Sequence, residues 1–74
     1  GIYVQAGSFT MANNAQTLSS RLSVFNHADV YPAMLNGQRF YRVRLGPVSS
    51  VEEADELLAR LVQAGHSQSI IVVE

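Results

Sequence analysis

The chain contains no cysteine, so it has no disulfide and no thiol nucleophile, and cysteine usage says nothing about its redox compartment. A surplus of positive charge is also missing. Five basic residues against six acidic ones give a formal net charge of -1, the wrong balance for a protein built to neutralise nucleic-acid phosphates. Charged residues are only 15% of the chain and apolar ones 47%, which argues against disorder and against charge-driven assembly. No apolar run approaches the roughly 18 residues that a membrane-spanning helix needs, and no signal-peptide pattern is present. Catalytic spacings are absent as well. There is no H-E-x-x-H or other metal spacing, no P-loop, and no His close to a Ser and an Asp in a triad-like order. An enzyme is therefore not expected, and no metal or other cofactor is called for.

At 74 residues the chain is expected to form one domain near the lower size limit for a single core, where only ~60% of the unfolded surface is buried. It opens on Gly-Ile-Tyr, already in strand pattern and without an initiator Met. Residues 1–74 are therefore expected to be a single domain excised from a longer protein.

What is present is a duplication. Tyr3 to Phe9 and Phe40 to Pro47 are apolar-alternating segments, each containing a late Gly and each leading into a helical pattern. The match continues at one constant displacement: Val4 with Val43, Gly7 with Gly46, Ala15 with Ala54, Leu18 with Leu57, Arg21 with Arg60, Leu22 with Leu61, and His27 with His66. The chain reads as a repeated strand–helix–strand unit.

Alternation from Ile2 to Phe9 predicts a strand with Val4 and Ala6 on one face and Tyr3, Gln5 and Gly7 on the other. Asn13 or Asn14 is the expected N-cap of a helix running to about Val24, with Ala15, Leu18, Leu22 and Phe25 on its apolar stripe. A second strand is expected from about Ala28 to Leu35. Asn36-Gly37 suits a tight hairpin turn, because both central positions favour φ > 0. In the third strand Tyr41, Val43 and Leu45 are expected inward and Phe40, Arg42 and Arg44 outward. Ser50-x-x-Glu53 has the form of a capping box, opening a helix with Val51, Ala54, Leu58 and Leu61 inward. Gly65 is placed to end that helix, and Ser69 to Val73 forms the last strand, its facing left open. The order β-α-β-β-α-β predicts an α+β, ferredoxin-like or RNP-like fold: a four-stranded antiparallel sheet with two helices on one face.

The other sheet face is then uncovered. It carries Tyr3, Gln5, Tyr31, Phe40, Arg42 and Arg44, flat apolar area combined with donors that orient a polar ligand, a composition suited to a carbohydrate or a nucleobase. A merely solvated antiparallel face has the same composition. His27 and His66 need no role beyond the helix C-termini they follow, and Met11 and Met34 read as gap fillers.

The run Y-V-Q-A-G-S-F, then Asn14-Ala15 and a helix, then Y-R-V-R-L-G-P, then an A-x-x-L-L-x-x-L helix ending in Gly65, resembles a SPOR domain, the sporulation-related repeat of bacterial envelope proteins. The R-V-R-L-G-P wording is also similar to the C-terminal domains of the rare lipoprotein A family, whose transglycosylase barrel has no counterpart in these residues. The resemblance implies non-catalytic binding of peptidoglycan glycan strands (GlcNAc-MurNAc) that lack stem peptides, in the periplasm or cell envelope at the division septum. By motif position it implies Gln5, Gly7 and Ser8 on the first strand and Arg42 on the third as glycan-binding residues. Arg44, Tyr31 and Phe40 join them from the open-face reading. A large aromatic on the last strand, common in such domains, is replaced by Ile70, Ile71 and Val72. No nucleic-acid partner and no membrane insertion by this domain are expected, and the expected state is a monomer. The rival readings are an RNA-binding RNP-like domain, which would need a basic, Gly and aromatic run that FYRVRLGP does not supply, and a protein–protein adaptor pairing at a sheet edge.

Overall fold

The computed structural model describes all of residues 1–74. Its elements run β1 (Ile2–Phe9), α1 (Ala12–Leu22), β2 (Ala28–Leu35), β3 (Gln38–Val48), α2 (Val51–Gln63) and β4 (Ile70–Val73). All strand pairs are antiparallel, in the spatial order β2-β3-β1-β4. α1 packs over β2 and β3 and α2 over β1 and β4, both on one sheet face. The expected β-α-β-β-α-β arrangement is thus borne out. No helix is long and apolar enough to cross a membrane.

The core lies between sheet and helices. Val4, Ala6, Val43 and Leu45 from the central strands meet Ala15 and Leu22 of α1 and Ala54, Leu57 and Leu61 of α2. Each strand contributes alternate side chains to this layer because the pleat turns successive residues to opposite faces. The Asn36-Gly37 turn has φ of 52° and 78°, the doubly positive geometry that the dipeptide predicts. Gly65 follows α2 with φ of 102°, as a C′ glycine does.

Several local expectations are corrected. α1 starts at Ala12, with Met11 in the N-cap position and no side-chain cap bond, and it ends at Leu22; Asn13 and Asn14 are inside its first turn. α2 turns Leu57 into the core and leaves Val51, its first residue, 52% exposed. Its cap is also shifted. Glu53 N–H donates to Ser50 Oγ at 3.1 Å, while the Glu53 carboxylate accepts from Ser49 N–H at 3.0 Å and Ser49 Oγ at 2.6 Å, one residue before the usual partner. These bonds, led by the Ser49 hydroxyl, hold the Glu53 carboxyl below its ordinary value.

The β1–β3 ladder is irregular twice. Between Ile2 and Val4 the partner strand advances from Val48 to Leu45, and between Gln5 and Gly7 it advances only from Arg44 to Val43. The first irregularity holds Gly46, at φ of 121°, where its N–H donates to His27 O at 2.8 Å. The second is a bulge in β1, with an extra residue that changes which face the rest of the strand presents.

Candidate functional site

The face opposite the helices is open, and the registers order its side chains in rows. Asp29, Arg44, Gln5 and Ile70 lie across all four strands; Tyr31, Arg42 and Ser8 form the next row; Ala33 and Phe40 the one after. Tyr3 and Val72 lie on the far side of the first row. The facing of β4 follows: Ile71 pairs with core residue Val4 and packs on the core, while Ile70 and Val72 face outward with Gln5 and Tyr3.

Gln5 and Ser8 are three residues apart and would face opposite ways in a regular strand. The bulge at Ala6 and Gly7 resets the alternation, so that Gln5 opposes Arg44 and Ser8 opposes Arg42 on the same face. Gly7 moves to the other face, against the expectation that it lies beside Gln5. A Cβ there would sit 3.2 Å from Leu18 of α1 and 3.1 Å from the Phe9 ring. Gly7 is a packing device under α1, and only its backbone belongs to the site's surroundings.

The two outward arginines of β3 have different environments. Arg44 is 5% exposed. Its guanidinium carbon lies 5.9 Å from the ring centre of Tyr3 and 5.7 Å from that of Tyr31, and the two tyrosines meet edge to face at 5.8 Å. Arg44 Nε donates to Gln5 Oε1 at 3.0 Å, and a terminal nitrogen donates to the Glu74 carboxylate. That hydrogen bond, with the arginine charge behind it, holds the Glu74 carboxyl below its ordinary value. The Tyr31 phenol is pushed upward, first by burial and then by Tyr3 and Asp29, against the opposing pull of Arg44. No buried side-chain polar atom lacks a partner.

The Arg42 side chain makes no hydrogen bond or ion pair within the chain. It lines a groove of about 290 Å³ together with Gln5, Ser8, Phe40, Ala33, Met34 and Leu35. Arg Nε–H only donates, so the glutamine turns its acceptor to Arg44 and its amide N–H groups elsewhere. The groove therefore offers an apolar wall of Phe40, Ala33, Met34 and Leu35, one free guanidinium, an amide donor and a hydroxyl. It suits a ligand with flat apolar faces and acceptor groups.

Of the residues expected at the site, Gln5, Ser8, Phe40 and Arg42 come together in this groove. Tyr31 and Arg44 lie in the adjoining cluster. Sequence reasoning missed three wall residues: Met34, set aside as a gap filler but 61% exposed, Leu35 and Ala33. Their signal was available in the hairpin, because residues flanking a tight turn have no helix to cover them. It also missed Glu74, which nothing in the pattern connects with Arg44.

The family model for the SPOR domain matches residues 1–73. The chain belongs to the SPOR domain family. Among solved structures it is similar to the "RlpA SPOR domain from Pseudomonas aeruginosa", with a TM-score of 0.84, 32% identity and full coverage of both chains. It is also similar to the peptidoglycan binding domain of the B. subtilis cell wall lytic enzyme CwlC, with a TM-score of 0.73, 35% identity and coverage of 100% of this chain and 90% of that one. Curated relatives include the endolytic peptidoglycan transglycosylase RlpA of two Pseudomonas aeruginosa strains, UCBPP-PA14 and PAO1, each 32% identical over 97% of this chain. The match spans 22% of the length of those relatives. SPOR domains are non-catalytic modules, associated as a family with peptidoglycan binding and septal targeting.

Proposed function

We propose that this SPOR domain binds peptidoglycan glycan strands from which the stem peptides have been removed, and that it thereby holds a longer envelope protein at the periplasmic face of the division septum. The observation that carries this reading is the groove in which an unpartnered Arg42 stands beside Gln5, Ser8 and an apolar wall. Removal of the stem peptide turns the lactyl group of N-acetylmuramic acid from an amide into a free carboxylate. A guanidinium grips a carboxylate through two charge-assisted hydrogen bonds and an amide far less well. Arg42 is the group that senses the missing peptide. Gln5 and Ser8 bond N-acetyl and hydroxyl groups, and Phe40 with its aliphatic neighbours covers a sugar face.

Arg44 supports this arrangement from behind, since its Nε and one terminal nitrogen already donate to Gln5 and Glu74. An intact peptide would also have to fit beside the hairpin wall, which adds a repulsive element against the wrong ligand. In a longer protein the domain delivers the wall-acting part to which it is joined.

Retention on purified sacculi, with and without prior amidase digestion, tests the reading. Wild-type protein is expected to bind digested material preferentially. Arg42→Ala and Gln5→Ala are each expected to lower binding about tenfold or more, from the loss of a charge-assisted or a buried amide hydrogen bond. Equal retention on both materials, or binding undiminished in both variants, overturns it.

A further inference from the structure

The Arg44 cluster sets the polarity of the groove, and with it the acetylation state of the glycan that fits. Gln5 has one acceptor and two donors on its side chain. The acceptor lies 3.0 Å from Arg44 Nε, and Arg44 cannot rotate away, because Tyr3 and Tyr31 flank it and Glu74 holds its other end. The groove side of Gln5 is therefore its NH2. Next to it stand the Arg42 guanidinium, again only a donor, and the Ser8 hydroxyl. None of the groove-lining side chains is a carboxylate. The acidic groups near Arg44 are outside the groove lining and already engaged in part: Glu74 accepts from Arg44, and Asp29 accepts from Val30 N–H at 2.9 Å with His27 at 4.0 Å.

We propose that Arg44 is a positioning residue which, by occupying the Gln5 acceptor, fixes a donor-lined groove selective for glycan whose amino sugars keep their N-acetyl carbonyls and against glycan that has been de-N-acetylated. This rests on the glycan-binding reading above. An N-acetyl group offers a carbonyl acceptor to the Gln5 NH2 and a methyl to the wall of Phe40, Ala33 and Leu35. De-N-acetylation puts an ammonium in its place, with three donors, no acceptor and a positive charge. The Gln5 NH2 and the Arg42 guanidinium would then face further donors, with only the Ser8 hydroxyl able to accept, and the ammonium would lie in the field of Arg42. Both effects act in the same direction.

The test uses peptide-free glycan strands released from amidase-treated sacculi, in three samples: as released, enzymatically de-N-acetylated, and chemically re-acetylated. Wild-type protein is expected to bind the first and third at least about tenfold tighter than the second, the consequence of an unpaired polar group in the contact. Equal binding of all three overturns the inference and leaves the glycan reading standing; binding of none removes both. Arg44→Met keeps stem packing while freeing the Gln5 amide to rotate. It is expected to narrow the acetylated to de-acetylated ratio to about threefold or less and to shift the Gln5 side-chain NH2 resonances in 15N-edited NMR spectra. A folded Arg44→Met protein with an unchanged ratio and unmoved resonances refutes the role of Arg44. Should that variant not fold, Gln5→Glu decides. Its carboxylate still accepts from Arg44 but presents an acceptor to the groove, so preference for acetylated strands should disappear, and a folded Gln5→Glu protein with full preference refutes the inference.

Discussion

Arg42 and Arg44 stand two residues apart on the same face of β3, and replacing each by Ala should produce opposite phenotypes. Arg44→Ala removes a charged hydrogen bond to Gln5, of a kind worth roughly 1.5–3 kcal/mol when buried, and guanidinium contacts with two tyrosine rings, each of order 0.5–1 kcal/mol. Gln5 is half-buried and can recover part of its hydrogen bonding from water, which lowers the first contribution. The pair with Glu74 adds little, because that carboxylate is mostly in solvent. A loss of about 2–4 kcal/mol results. A chain of this size has on the order of 4–11 kcal/mol in total, so the melting temperature should fall by roughly 8–30 °C. Arg42→Ala breaks no side-chain hydrogen bond or ion pair and removes only the packing of a half-buried stem, so its stability should stay within about 1 kcal/mol of wild type. Urea titration followed by far-ultraviolet circular dichroism, with calorimetry for Tm, measures both. Similar stabilities for the two variants, or Arg42→Ala the weaker, would refute the division into an anchoring and a free arginine.

At Gly46 a Cβ would approach Val48 N to 2.9 Å and Ile2 O to 3.1 Å, at φ of 121°, so Gly46→Ala should cost about 2–3 kcal/mol by denaturant titration, whereas Gly37→Ala, with open space around it, should cost less. Ser50→Ala deletes the α2 cap and should cost about 1 kcal/mol by the same measurement. The carboxyls of Glu53 and Glu74 lie below their ordinary values, so the unfolded chain takes up protons first as pH falls. Their contribution is complete above the ordinary carboxylate range and is lost as pH drops through the depressed folded values; in a pH series of urea midpoints, Glu53→Gln should flatten the acid limb. Glycan retention should weaken only mildly between low and moderate salt, since one guanidinium carries the charge contact; a steep slope would instead favour nucleic acid.

The order of elements, the sheet arrangement, the hairpin turn and most core positions follow from patterns that a strand or helix imposes over many residues, and these were legible. Val4, Val43, Leu45, Ala54 and Leu61 are inward because the alternation and the helical stripe permit no other sheet face. Legibility ends where one residue changes the count. The bulge at Ala6 and Gly7 is marked only by a glycine within the strand pattern, which does not say where the count changes, so Gly7 reads as a neighbour of Gln5 although it lies under α1. The start of α1 at Ala12 was hidden because Asn13 and Asn14 are better caps than Met11. Within the site, Arg42 and Arg44 are indistinguishable by pattern, and their division depends on Glu74 and Tyr3, which meet Arg44 only after the strands assemble.

Because β1 contains an odd interruption, substitution and length change have different reach in this protein. Exchanging Gln5 or Ser8 alters one chemical group and leaves the rest in place. Adding a single residue between Gly7 and Ser8 would rotate Ser8 toward the helices and Phe9 onto the open face, removing a proposed ligand contact and unsettling the interior in one step, whereas loss of Ala6 would only remove the bulge and leave Ser8 opposite Arg42. The letters of this strand can thus change one at a time, while a residue added beyond the bulge disturbs the interior and the open face together.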